Sequence, residues 1–266
     1  SASPVKTVGI EISAQALAMY QVKAAGTMPT YSVADALKQG ASVADGALVI
    51  SDTSANLAKN FDALVGLQDK IGAITQKDAK ALALTEAQFV AGRALLSKIN
   101  SGGYSVALTG VHASNLKSLL TYDTNIVAIT VSDTSEQIAA KLADVSALGT
   151  KVTALTQTTK SAMSLAYADA IKYASVLSRI DKGAYTLNLT DEAKNLKANL
   201  VAVGKLGAKV ATITQTDTST AIKLGLSELT ANLATLKKIN GGAFQVDIED
   251  TGAAVAKAWA TITAIG

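Results

Sequence analysis

The chain has 266 residues, 49% apolar, 17% charged and 4% aromatic, with a net charge of +3. That balance excludes disorder driven by excess charge, and two prolines beside 19 glycines exclude collagen-like and proline-rich classes. With no cysteine and one histidine, disulfides, thiolate zinc sites, thiol catalysis and bis-histidine metal centres are excluded too.

Taken in chain order, the opening Ser1-Ala2-Ser3-Pro4 has no initiator Met and no basic-then-apolar export signal, so a processed product or a piece of a longer chain is expected. No apolar run approaches the roughly 18–20 residues that span a bilayer. Residues 8–25 predict a terminal helix or a strand–helix cap. Tyr31-Ser32-Val33-Ala34-Asp35, followed by Gly40-Ala41-Ser42-Val43-Ala44-Asp45, predicts a shortened repeat. Together 1–45 are expected to form an N-terminal cap and degenerate repeat, ahead of a β-α repeat domain over 46–266.

The repeat domain contains three classes of predicted strand. One alternates apolar residues and ends in a small polar residue, usually with an acid: Val49-Ile50-Ser51-Asp52, Ala107-Leu108-Thr109-Gly110, Val131-Ser132-Asp133, Leu187-Asn188-Leu189-Thr190-Asp191 and Val246-Asp247-Ile248-Glu249-Asp250. A second reads Ile71-Gly72-Ala73-Ile74-Thr75-Gln76, Val152-Thr153-Ala154-Leu155-Thr156-Gln157 and Val210-Ala211-Thr212-Ile213-Thr214-Gln215. A third holds Leu84, Leu165 and Leu224, each followed at one fixed interval by the Ile of Lys98-Ile99, Arg179-Ile180 and Lys238-Ile239. The central apolar residues fall at 50, 74, 84, 108, 131, 155, 165, 189, 213, 224 and 248. Only two step sizes separate them, a long one as from Ile50 to Ile74 and a short one as from Ile74 to Leu84.

Each long step predicts one helix. Leu57, Phe61, Leu64 and Leu67 recur at helical spacing after Asp52. Ile138, Leu142, Val145 and Leu148 do so after Asp133, and Leu196, Leu200, Val203 and Leu206 after Asp191. Asp52, Asp133, Asp191 and Asp250 stand where N-caps are expected, and Gly149, Gly204 and Gly207 where left-handed C-caps are. Strand, helix and strand within one long step form a right-handed crossover with parallel strands. The short steps are polar: 76–80, 157–161 and 215–220. They form either antiparallel hairpins or corners at which a turn gains a strand; the absence of Asn-Gly and Asp-Gly favours corners. The last segment, 251–266, begins a repeat helix with no strand after it, either capping the stack or marking a cut from a longer array. The fold class predicted is α/β: a repetitive, solenoid-like stack of short β-α units, with one continuous, mostly parallel sheet and flanking helices.

The run Asp52-Thr53-Ser54-Ala55-Asn56-Leu57, then helix, then Lys70-Ile71-Gly72-Ala73-Ile74-Thr75, resembles the repeats of very large secreted bacterial surface proteins, described as adhesins, biofilm-matrix or calcium-binding proteins. The resemblance covers roughly residues 30–266 and implies an extracellular or cell-surface setting. Calcium is not carried over. Gly102-Gly103-Tyr104 and Gly241-Gly242-Ala243 lack the aspartates of the calcium-binding nonapeptide, and the chain is slightly basic where such proteins are acidic.

Nothing local assembles a reactive site. Asp52, Asp133, Asp191 and Asp250 could be offered as a carboxylate ladder for calcium, but such a site needs six to eight oxygens, and capping explains them. His112 has no identifiable nucleophile or orienting acid and reads as a solvent-facing or capping residue. For an enzyme that used Glu86, Asp169 or Glu228, the sequence supplies no identifiable catalytic partner. The threonines of 212–216 fit ordinary β-propensity better than an ice- or surface-binding array. Lys194, Lys197, Lys205, Lys209, Lys237 and Lys238 fit a solvated helical face. Trp259, near Ala253, Val255 and Ile262, is expected in the core or an end cap, the alternative being an anchor for a subunit contact. No phosphate loop or dinucleotide fingerprint is present.

No catalytic, cofactor-binding or metal-ligating residue is therefore assigned, and neither cofactor nor enzyme activity is expected. The function expected is a non-catalytic extracellular structural repeat: a surface-layer, matrix or filament subunit, or an adhesin spacer. The alternative is a module binding a polysaccharide or protein. Expected partners are further copies, end to end, or neighbouring repeats, and a cell-surface glycan under the alternative; nucleic acid and a membrane span are not expected.

Overall fold

The computed structural model describes residues 28–122 and 124–264, so the cap predicted over 8–25 lies outside the described residues. The chain divides into two units, Ser1–Ala107 and Leu108–Gly266. In the first, β1 (Thr30–Tyr31), α1 (Val33–Gln39) and β2 (Leu48–Asp52) precede a helix pair, α2 (Ser54–Lys59) and α3 (Phe61–Gly66). Then come β3 (Ile71–Gln76), β4 (Leu82–Thr85), α4 (Glu86–Ala91) and α5 (Arg93–Leu96). The division falls inside β5 (Val106–Val111). The second unit continues with α6 (Leu116–Tyr122), β6 (Ile126–Asp133), α7 (Ser135–Ala140), α8 (Leu142–Leu148), β7 (Val152–Gln157) and β8 (Met163–Ala166). After α9 (Tyr167–Lys172) and α10 (Ala174–Leu177) come β9 (Leu187–Asp191), α11 (Ala193–Gly204), β10 (Val210–Gln215) and β11 (Ile222–Leu224). The final elements are α12 (Leu226–Leu236), β12 (Val246–Ile248), α13 (Gly252–Lys257) and α14 (Trp259–Thr263).

The molecule is α/β, with parallel sheets and flanking helices. Every central residue predicted from position 50 to position 248 lies in a strand. Ile50 pairs with Ile74, Val131 with Leu155, Leu189 with Ile213 and Leu224 with Ile248, each partner one long step further along the chain. The second strand class owes its wider apolar spacing to a bulge. Leu48 pairs with Ile71 but Val49 with Ala73, so Gly72 is the extra residue, and the register shifts in the same way at Thr153 and Ala211. One inserted residue turns alternate burial into buried–exposed–exposed–buried. The short steps are corners, because β3 and β4, β7 and β8, and β10 and β11 lie in different sheets.

The single continuous sheet is not found. The first unit holds the sheet β1-β2-β3; the second holds β8-β9-β10 and β11-β12 as separate small sheets, and β5, β6 and β7 adjoin in another. Each sheet of the type β2-β3 ends because its next partner is a single residue. Ile74 bridges only Ile99, Leu155 only Ile180 and Ile213 only Ile239. Directly after each Ile the backbone turns left-handed: Asn100, Ser101 and Gly102 have φ of 46°, 56° and 89°. Asp181-Lys182-Gly183 and Asn240-Gly241-Gly242 do the same. A left-handed turn cannot continue a ladder. A side chain takes the next rung instead: the N–H of Gln76 donates to Asn100 Oδ1 at 3.0 Å and that of Gln215 to Asn240 Oδ1 at 3.1 Å.

The helical stripes are buried as expected, from Leu57, Phe61 and Leu64 to Leu196, Leu200 and Val203, while Leu67 and Leu206 are half-buried. Of the three helices with these stripes, two are pairs, broken at Asn60 and Lys141, and α11 is continuous. A similar break at Gly92 brings backbone against the Phe61 ring, where a Cβ would stand 2.2 Å from Cε1. Gly149 and Gly207 are left-handed as predicted, at φ 57° and 56°, but Gly204 is the helical last residue of α11.

Candidate functional site

The polar residues singled out by the sequence converge on one line of positions, the strand-to-helix junctions. The capping residues there are not the aspartates but their successors. Thr53, Thr134 and Thr251 accept from the N–H groups of Asn56, Gln137 and Ala254 at 3.2–3.3 Å, and Glu192 occupies the same place without a side-chain cap. The aspartates stand one residue earlier; Asp191 accepts from Glu192 N–H and the Asn195 amide, while the other three reach the preceding turn. Asp52 accepts from the N–H of Val33, first residue of α1, at 2.9 Å, and from Thr53 N–H and the Asn56 amide. Asp133 accepts from Ala113 N–H at 2.9 Å, and Asp250 from Leu226 N–H, the start of α12, at 3.2 Å.

The corners repeat the device. Ser54 N–H donates to Asp78 at 2.7 Å, Ser135 N–H to Thr159 Oγ1 at 3.1 Å and Ala193 N–H to Asp217 at 2.7 Å, each acceptor lying in the turn that follows. The orphan N–H at a helix start is thus satisfied by the next turn. Burial opposes ionisation of Asp52, but the N–H of Val33, the Asn56 amide and the N–H of Thr53, aided by Lys77, hold its carboxyl below the usual value. The Ser54 N–H does the same for Asp78, and the Ala193 N–H for Asp217.

A basic residue performs the converse service at helix ends. Lys98 Nζ donates to the carbonyls of Gln68 and Ile71, both at 2.6 Å. Arg179 donates to those of Gly149 and Val152, and Lys238 to those of Gly207 and Val210, at 2.6–2.8 Å. Lys238 is therefore a tie between turns and not part of a solvated face. Lys194, Lys197, Lys205 and Lys237 are exposed as expected, and Lys209 stacks over Tyr185 at 4.6 Å. Sequence reasoning missed these ties, although the basic residue preceding Ile99, Ile180 and Ile239 was a visible signal.

The remaining candidates are scattered. His112 is exposed, its Nδ1 3.7 Å from Asp133 Oδ2, and that carboxylate is already engaged by two backbone N–H groups. Glu86, Asp169 and Glu228 lie in the first turns of three different helices, and Glu228 accepts from Gly225 N–H at 3.0 Å. Tyr167 is buried with no hydrogen-bond partner for its hydroxyl; burial, with Asp191 nearby, raises its pKa far above the phenolic range. Trp259, expected in the core or an end cap, is 61% exposed.

Open grooves of about 530 and 180 Å³ occupy equivalent places, lined by Gly149, Val152 and Arg179 in one and Gly207, Val210 and Lys238 in the other. In both, the basic group already serves backbone carbonyls. No group of acidic or histidine residues able to hold a metal ion occurs among the described residues, and no described helix is long and apolar enough to cross a membrane. No protein-family model matches the chain, and no curated protein matches it as a relative.

Proposed function

We propose that this chain is a non-catalytic structural repeat protein of the cell surface or extracellular space, serving as a surface-layer, matrix or filament subunit or as an adhesin spacer. Within each unit the repeated turns act as a solenoid-like stack, each turn sheltering the apolar face of its neighbour. One observation carries this reading: side chains capable of chemistry are spent on joining successive turns. Asp52, Asp78, Asp133, Asp217 and Asp250 hold helix starts, while Lys98, Arg179 and Lys238 hold helix ends. The resemblance of the Asp52–Leu57 run and its echoes to secreted bacterial surface repeats supports the extracellular setting.

The reading predicts concentration-dependent filaments or sheets in electron micrographs of the purified chain, with no change when calcium is chelated. A monodisperse monomer at every concentration, together with saturable binding on a glycan array, would replace it with the ligand-binding module.

A further inference from the structure

The chain contains ten asparagines, and eight of them are followed by Leu, Ile or Phe. The two exceptions are Asn100, followed by Ser101, and Asn240, followed by Gly241. Both stand in the left-handed turns at which a sheet ends, with φ of 46° and 48°, a region that asparagine enters more readily than most other residues. A bulky side chain on the following residue shields that residue's backbone nitrogen from the asparagine amide. Glycine, with no Cβ, leaves the nitrogen open.

Gly241 is exposed, and a Cβ built on it would meet nothing within 4 Å. The bonds that close its turn are made by its successors: Gly242 N–H donates to the Ile239 carbonyl at 2.8 Å and Ala243 N–H to that of Asn240 at 3.3 Å. The Gly241 nitrogen takes no part in that closure. Asp45-Gly46, the one aspartyl-glycine step in the chain, is built differently. There Gly46 N–H donates to the Asp69 carbonyl at 2.9 Å, and the Asp45 carboxylate is paired with Lys70 Nζ at 2.8 Å. At Asn240 the side-chain carbonyl accepts from the N–H of Gln215 at 3.1 Å. A donor on that oxygen polarises the amide carbon and stabilises the negative charge that develops when the carbon is attacked.

We propose that Asn240 is a site of spontaneous deamidation, with water as the only co-reactant. The Gly241 nitrogen bonds to Asn240 Cγ and gives up its proton; the Cγ–Nδ2 bond breaks, and Nδ2 departs with that proton as ammonia. Water then opens the resulting cyclic imide at one or other of its carbonyls, leaving aspartate or isoaspartate. The aspartate product keeps the fold, because Asp181 holds the equivalent place in the second left-handed turn and accepts from Gln157 N–H at 3.3 Å. The isoaspartate product lengthens the main chain by one carbon and withdraws the acceptor from Gln215 N–H. Either product adds one negative charge at the end of the β8-β9-β10 sheet. The site is independent of the structural-subunit reading.

Peptide mapping by mass spectrometry, after the folded protein has stood in mildly alkaline buffer, tests the site. The peptide containing Asn240 should gain one mass unit and separate into aspartyl and isoaspartyl forms. Asn100 should follow severalfold more slowly, and the eight asparagines before Leu, Ile or Phe should stay unchanged. Gly241→Ser copies the turn at Asn100, whose Ser101 already adopts a φ of 56°, and should slow the reaction at Asn240 to the rate of Asn100. Asn240→Asp should melt with the fresh protein, whereas the isoaspartyl fraction should melt lower. An Asn240 that survives in the folded protein but reacts in urea overturns the site, since the fold would then protect it. An unchanged rate in Gly241→Ser, or equal loss of ammonia from the eight shielded asparagines, overturns it as well. A lowered midpoint in Asn240→Asp overturns the fate assigned to the aspartate product.

Discussion

The stretch β9–α11 and the stretch β12–α13–α14 follow one pattern and have opposite surroundings. Leu196, Leu200 and Val203 are almost wholly buried, whereas Val255 and Ile262 are half-exposed and Trp259 stands mostly in solvent. Amphipathic spacing assigns a face to a helix, but burial needs something to lie on that face. Where an element rests on its sequence neighbours, the same residue pattern makes core in one place and surface in another.

The sharpest test of that contrast is a pair of truncations. Leu200→Ala should cost about 3 kcal/mol, within the range for emptied core sites, whereas Trp259→Ala should stay within about 0.5 kcal/mol. Urea unfolding of the two variants measures both, and equal losses would erase the distinction between covered and open turns. Next in size is Lys238→Met, which leaves the carbonyls of Gly207 and Val210 without their donor beneath the covered turn. A loss of about 1–2 kcal/mol is expected, and an unchanged midpoint would mean that water replaces the tie without cost.

Tyr167→Phe should go the other way, raising stability by up to about 1 kcal/mol by deleting a buried hydroxyl that has no partner; a fall on thermal melting would reveal a bond that the hydroxyl does make. Acid acts on the ties as a set. Because the carboxyls of Asp52, Asp78 and Asp217 are held below their usual value, the unfolded chain binds protons more readily than the folded one near pH ~4. Their stabilisation is therefore complete well above the ordinary carboxylate value of 3.8 and is lost as pH falls through the lower, folded value. Thermal midpoints should drop on acidification below pH ~4, and less steeply in Asp52→Asn; parallel curves would remove Asp52 from the account. The smallest effect belongs to the β11-β12 sheet, where Lys223 meets Glu249 at 2.8 Å in solvent. Lys223→Ala should leave the melting midpoint unchanged.

Much of this architecture is legible in one sequence because its signals are local and repeated. The strand centres from Ile50 to Ile248 follow from spacing, and the Ile71-Gly72-Ala73-Ile74 pattern already carries the bulge, since one extra residue displaces the alternation. The junction aspartates were placed in the right region and given the wrong partner. Capping is commonly local, whereas Asp52 serves Val33 from further along the chain. A helix start and a corner show no mutual signal until the turns are laid together. Lys238 was misplaced for the same reason, since its distinguishing feature is the pair of carbonyls brought to it by the fold.

By itself, then, the sequence determined the period, the strand centres and the apolar stripe of each helix, because these depend on contacts between near neighbours and on the geometry of single elements. Tertiary structure alone decided where each sheet stops, which acceptor meets which orphan N–H and whether Trp259 is inside or out. Those outcomes depend on what the neighbouring turn supplies at a given spot, and a linear pattern cannot express the presence or absence of a neighbour.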